Sequence, residues 1–207
     1  MKSKQLLVIG AGGHARSCID IIESNGDYSV AQIIGQESEL GLSILGHTIS
    51  YSDSDLANLR TKYQYAFIAV GQIHSPAIRK KLRLAMSELG YTFPTITSRS
   101  AVVSKYSRLG PGSIVMNGAI LNADSTIGEN VIVNSGSIIE HDVFIGDNCH
   151  ISTGVTINGG SRIGEGTFLG SGTIVKDGVE IGDNCFIGMG SIITKSIPSN
   201  TSEKASL

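Results

Sequence analysis

From Val103 to Ile193 an aliphatic residue stands at every sixth position without a gap, a run of sixteen that includes Leu121, Ile139, Ile157, Val175 and Ile193. A small or β-branched residue, such as Ala119, Ser137, Cys149 or Thr167, lies two positions before each of them from Leu109 onward. Three positions after each, from Gly112 to Gly190, the residue is always Gly, Asn or Asp. These three types tolerate the left-handed backbone angles of a tight corner. Each hexapeptide is therefore a short strand with two inward side chains, followed by a corner. Such a period is the signature of a parallel β-helix. Three strands per coil give a triangular prism in which residues eighteen apart stack about 4.8 Å from one another. Cys149 and Cys185 fall on inward positions two coils apart. That separation exceeds the roughly 7 Å a disulfide spans, so both are expected as buried free thiols.

The first 98 residues follow a different pattern. "KQLLVIGAGG" reads as a buried strand entering a glycine turn, "HARSCIDIIESNG" as a helix ending at Asn25-Gly26, and "YSVAQIIG" as a second strand. "YAFIAVG" reads as another strand, and "SPAIRKKLRLAMSELG" as a helix with Pro76 in its first turn and Gly90 beyond its end. The alternation predicts an α/β domain, Rossmann-like with a parallel sheet, over 1–98, and the β-helix domain over 99–207.

Composition narrows the function. A net charge of −2 with no basic stripe argues against nucleic acid. The apolar run Leu6 to Ile9 is too short for a signal peptide and no segment approaches a membrane span, so a soluble, cytoplasmic protein is expected. Three cysteines form neither a metal-ligand spacing nor a disulfide framework, and no histidine trio shares a coil phase suited to a metal enzyme; no metal is expected.

The last residue of each hexapeptide faces outward. One face carries Ile114, Ile132, His150, Phe168 and Phe186, the next Ile120, Ile138, Thr156, Ile174 and Ile192, and the third Thr126, Phe144, Arg162 and Glu180. Two apolar columns predict burial against two neighbouring copies, the arrangement of a cyclic homotrimer.

His141 precedes the corner residue Asp142, so its side chain lies at a prism edge, where it is either a surface residue or a catalytic base in a cleft between copies. Asp142 needs no function beyond turning the chain, and Glu140 either faces inward or bonds a corner. The glycine turn "VIGAGGHA" fits G-x-G-x-x-A, but Gly35-Gln36 ends the second strand where a dinucleotide site wants an acid, which disfavours NAD. A glycine turn entering a helix still offers free amides to a phosphate.

The repeats, the motif "IEHD" followed by "CHIS", and the N-terminal "IGAGGHA" together resemble the bacterial nucleotide-sugar N-acetyltransferases and sialic acid O-acetyltransferases. The resemblance covers almost the whole chain and implies a left-handed β-helix. It implies that His141 is the general base for acetyl transfer from acetyl-CoA, with Asp142 orienting it, and that His150, Ser171 and Met189 contact the coenzyme. Gly159, eighteen residues after His141, then stacks on it and offers an amide to the developing oxyanion. The resemblance places a nucleotide-sugar acceptor at Gly12, Gly13 and His14, at Gly35-Gln36 and at Gly71. Two departures stand out. UDP-sugar-binding members commonly carry acids where this chain has Gly35-Gln36, and the end "SIPSNTSEKASL" lacks the usual G-x-P-A-K segment, so a weaker hold on the coenzyme or a trimmed end is expected.

The leading expectation is acetylation of the amine of a nucleotide-linked amino sugar of the UDP-4-amino-4,6-dideoxy type, in surface-glycan synthesis. Its rivals are O-acetylation of sialic acid or a related nonulosonic acid, and a trimeric scaffold without catalysis.

Overall fold

The hexapeptide half winds as its period requires. In a computed structural model, which describes residues 3–203, residues eighteen apart pair in parallel ladders up to the last coil, where the spacing shortens to sixteen. One sheet stacks Ile114, Ile132, His150, Phe168 and Phe186, a second stacks Val102, Ile120, Ile138, Thr156, Ile174 and Ile192, and a third stacks Arg108, Thr126, Phe144, Arg162 and Glu180. All fourteen corner residues from Gly112 to Gly190 have positive φ, including Asp124, Asn130, Asp142, Asn148 and Asn184. The repeated aliphatics and small residues form one core. Inward hydroxyls are satisfied either by carbonyls fifteen residues on, as in Ser137 Oγ to Ser152 O at 2.8 Å and Ser161 Oγ to Lys176 O at 2.9 Å, or by the carbonyl three residues back, as in Ser125 Oγ to Asn122 O at 2.8 Å. Cys149 and Cys185 are buried free thiols. Ser202–Glu203 pairs with Phe186–Ile187 and closes the last coil, while residues 204–207 of the C-terminal segment lie outside the described residues.

The α/β unit contains β1 (Lys4–Ile9), α1 (Gly13–Asn25), β2 (Tyr28–Gly35), β3 (Ser43–Ile44), β4 (His47–Ser52), α2 (Leu56–Leu59), β5 (Tyr65–Ile68) and α3 (Ala77–Glu88). The sheet order is β3-β4-β2-β1-β5. β1, β2, β4 and β5 are parallel, but β3 pairs antiparallel with β4, so the sheet is mixed rather than purely parallel. Helix α1 ends at Gly26 with φ 76°, and Pro76 sits one residue before α3 rather than inside its first turn. One face of the sheet packs Leu7, Ile9, Ile34 and Ile68 against Leu56, Leu59, Met86, Tyr91 and Phe93. No described helix is long and apolar enough to cross a membrane.

The chain divides between Ile96 and Thr97, two residues before the boundary read from sequence, and the five residues Gln72–Pro76 belong to the β-helix unit. This short strap corrects one expectation. The face of Ile114, Ile132, His150 and Phe168 is already buried within the single chain. His150 Nδ1–H donates to the Gln72 carbonyl at 2.5 Å, and His74 stacks on Phe186 with centroids 5.0 Å apart. That face is therefore not offered to another copy. Of the two apolar faces it is the second that remains open, with Val102 62% and Ile192 69% exposed.

Candidate active site

The strand Ile138–Ile139 of the open face runs into Glu140, His141 and the corner residue Asp142. Asp142 has φ 60°, and the turn that this angle makes sets its carboxylate beside the preceding imidazole. His141 Nδ1–H donates to Asp142 Oδ2 at 2.8 Å, which leaves the Nε2 lone pair as the free, basic position. One coil on, Gly160 N–H donates to the His141 carbonyl at 3.0 Å, and the ring lies against Gly159. A Cβ on Gly159 would stand 2.6 Å from His141 Cε1 and 2.7 Å from Nε2. The φ of Gly159 lies outside the left-handed region, so space, not backbone strain, demands glycine there. Its N–H donates to no partner among the described residues. Glu140, which sequence left open, is half-buried and accepts a bond from Asn122 Nδ2 at 3.0 Å.

The hydrogen bond to Asp142 raises the His141 pKa above its ordinary value. Loss of solvation opposes this, and the negative charges of Asp142, Glu140 and Asp177 support the rise. A base with a raised pKa is fully active only above that pKa. Asp142→Asn keeps the corner, since Asn occupies it at Asn130, Asn148 and Asn184, but removes the charge. The acidic limb of the kcat/KM–pH profile is expected to move to lower pH in this variant, with an unchanged melting temperature. Asp142→Ala, by contrast, forces a poorly tolerated corner and is expected to cost about 1–2 kcal/mol of stability as well.

Ser171 and Met189 are exposed and stacked, with Gly190 N–H donating to the Ser171 carbonyl at 2.8 Å. Their edge borders the open face on the side opposite His141. His150 is on neither edge. It is 7% exposed, and Asn134 Nδ2 stands 3.3 Å from its Nε2, so both ring nitrogens have partners within the chain.

In the α/β unit Gly10 has φ 109°, and a Cβ there would stand 2.9 Å from Val70 Cγ2, so only glycine fits. The space above Gly12 and Gly13 is open, α1 has no side-chain cap, and its first turn holds no acid. His14 Nε2 lies 3.4 Å from Cys18 Sγ, and Gly71 faces the His14 side chain. These residues thus gather at the carboxyl ends of β1 and β5, where the chain order reverses, the usual ligand crevice of an open α/β sheet.

Two residues that sequence reasoning missed shape this crevice. Arg79, 1% exposed on α3, donates from Nη1 to the carbonyls of Ile68 at 2.9 Å and Val70 at 2.7 Å, fixing the end of β5. Burial brings its pKa down only to about 10, so it keeps its charge, whereas burial pushes the Cys18 thiol up to about 12. Glu39 is the second. Its Oε2 accepts the Gln36 N–H at 2.7 Å and would lie 2.9 Å from a Cβ on Gly35. An acid therefore does stand at the end of β2, supplied by the following 3-10 turn; the Q-x-x-E spacing of a capping box was the available signal. Among the described residues no cluster of three or more potential metal ligands occurs.

Residues 5–83 match the PglD N-terminal domain family, and 124–159 and 160–195 each match the bacterial transferase hexapeptide (six repeats) family. The chain is similar to the H141N mutant of perosamine N-acetyltransferase from Caulobacter crescentus, solved with CoA and GDP-perosamine: 32% identity, 97% of this chain and 93% of that one covered, TM-score 0.91. The H141A mutant of that enzyme, also with CoA and GDP-perosamine, matches to the same extent. The acetyltransferase domain of PglB from Neisseria gonorrhoeae, in complex with acetyl coenzyme A, is 28% identical over 98% of this chain and 97% of that one, with TM-score 0.89. Comparison with curated protein sequences gives no significant match.

Proposed function

The chain belongs to the hexapeptide-repeat family of bacterial nucleotide-sugar N-acetyltransferases, and from that premise we propose that it moves the acetyl group of acetyl-CoA to the amine of a GDP- or UDP-linked 4-amino-4,6-dideoxy sugar. It is an acetyltransferase. The observation that carries the site assignment is the His141 imidazole, held by Asp142, lying on a Gly159 whose N–H is unbonded.

The sugar amine attacks the thioester carbonyl and a C–N bond forms. The carbonyl electron pair moves to oxygen, where the Gly159 amide meets it, and the ammonium proton passes to His141 Nε2. Collapse of the intermediate re-forms C=O and breaks C–S, and the leaving thiolate takes the proton back from His141. No covalent enzyme intermediate is involved, and Cys149, wholly inside the prism with its thiol pushed up to about 12, is not a nucleophile. Charge develops on oxygen only during reaction, so an amide fixed beforehand by the coil stabilises the transition state more than the ground state.

The acceptor's diphosphate rests on the Gly12-Gly13 turn and the start of α1, with His14 and Gly71 beside it and Gly35-Gln36 toward the nucleoside; the open space and uncapped helix end support this. The pantetheine arm runs along Ser171 and Met189. His150, closed under the strap, contributes to the coenzyme site by holding that face in shape.

The prism is left-handed and the working form is a homotrimer. The His141 edge and the Ser171–Met189 edge of one chain are separated by a face up to six residues wide, at most about 20 Å. Packing that open apolar face against a second copy brings one copy's base to the other's coenzyme edge. In sedimentation at micromolar concentration a trimer is expected; a monomer would remove this part of the proposal. The reaction takes place in the cytoplasm, where acetyl-CoA is available.

A thiol-release assay with acetyl-CoA against GDP- and UDP-linked 4-amino-4,6-dideoxy sugars, other nucleotide amino sugars and free sialic acids tests the substrate class. Release with a nucleotide amino sugar alone is expected. Release only with sialic acid would replace N- by O-acetylation.

A further inference from the structure

Gly159 leaves its N–H open at a position where the coil closes it elsewhere when an aspartate or serine stands one coil on and a glycine precedes the amide. Three other amides in the equivalent place are capped from one coil on: Glu129 by Asp147 Oδ1 at 2.8 Å, Glu165 by Asp183 Oδ1 at 2.7 Å, and Asp183 by Ser199 Oγ at 2.9 Å. In each case the residue before the amide is glycine, and the capping oxygen lies in the room its missing side chain leaves. A Cβ on Gly128 would stand 2.3 Å from Asp147 Oδ1, one on Gly164 2.4 Å from Asp183 Oδ1, and one on Gly182 2.6 Å from Ser199 Oγ.

Above Gly159 the repeat supplies the same type of cap, because the residue one coil on is Asp177. Gly178 N–H donates to the Gly159 carbonyl at 3.0 Å, so the two coils are in the usual register. Yet Asp177 does not bond the amide. The difference is the preceding residue, Asn158 in place of glycine. Its side chain turns toward the next coil, and Nδ2 donates to the Val175 carbonyl at 2.7 Å.

We propose that Asn158 is a positioning residue that keeps the acetyl-transfer site open by occupying the space from which Asp177 would otherwise cap the Gly159 amide. With Asn158 present, the amide is free for the oxyanion. Without it, a carboxylate takes the amide and sets negative charge where negative charge must develop. The proposal rests on Gly159 as the oxyanion donor.

Three variants test it against wild type and His141→Ala. Asn158→Gly restores the glycine found at 128, 146, 164 and 182, so the fold accepts it. Its kcat is expected to fall about 10²–10³-fold, the cost of losing one oxyanion donor, with both KM values little changed. Asn158→Ala, whose Cβ still excludes the carboxylate, falls by clearly less. Asn158→Gly/Asp177→Ala, with no carboxylate to place, recovers most of the loss, an outcome that a merely structural role for Asn158 does not give. Asn158→Ala falling as far as Asn158→Gly, or no recovery in the double variant, overturns the proposal. Asn158→Gly at wild-type rate while His141→Ala is inactive overturns it and leaves the catalytic centre standing. A fully active His141→Ala with Asn158→Gly impaired and rescued would instead count against His141 as base alone.

Discussion

His141→Ala is expected to transfer acetyl groups about 10²–10⁴-fold more slowly than wild type, with its melting temperature and oligomeric state unchanged. The size follows from the role. An amine attacking a thioester must shed a proton, and in the proposed mechanism it passes to Nε2 of the imidazole that Asp142 holds through Nδ1. The unchanged stability follows from the position, since the side chain is 65% exposed and its removal leaves no cavity in the prism. A residual rate is expected, because substrate binding and the Gly159 amide are left in place. Steady-state thiol release with acetyl-CoA and a nucleotide amino sugar, beside a thermal melt, measures both. Transfer at wild-type rate would mean that His141 is not the base.

Gly159→Ala is expected to lose on the order of a hundredfold in kcat/KM while melting close to wild type. The added methyl would stand 2.6–2.7 Å from the imidazole, and the ring, being exposed, swings away rather than breaking the coil. A displacement of about 1 Å is enough for a loss of that size. Gly160→Ala is the mirror case. A Cβ there meets nothing within 4 Å, but φ is 67°, so this variant is expected to lose about 1–2 kcal/mol of stability and keep its activity. The pair separates crowding of the site from strain of the corner, and kinetics with thermal melts reads both.

What was legible in the sequence was what the local backbone enforces. A corner that turns with positive φ accepts Gly, Asn or Asp, so the fourteen corners could be numbered before any coordinates, and with them the stacking of Gly159 on His141. What was not legible depended on partners remote in the chain. The aromatic column of His150, Phe168 and Phe186 looks the same whether another copy or its own strap covers it, and Gln72–Pro76 carries no period that announces where it lies. The β3–β4 hairpin was missed because its two-residue loop is Leu45-Gly46, with φ 47° and 82°, in place of the usual Asn-Gly or Asp-Gly. Glu39 is not legible from the residues that end β2, because it is the next turn that folds its carboxylate back over Gly35.

A crystal structure with a non-hydrolysable acetyl-CoA analogue and a GDP-linked 4-amino-4,6-dideoxy sugar tests the account most directly. The sugar nitrogen is expected within about 3.2 Å of His141 Nε2, or one water away, with the Gly159 N–H directed at the acyl oxygen. A sugar amine bound away from His141, or an acyl oxygen held by groups other than the Gly159 amide, would contradict it.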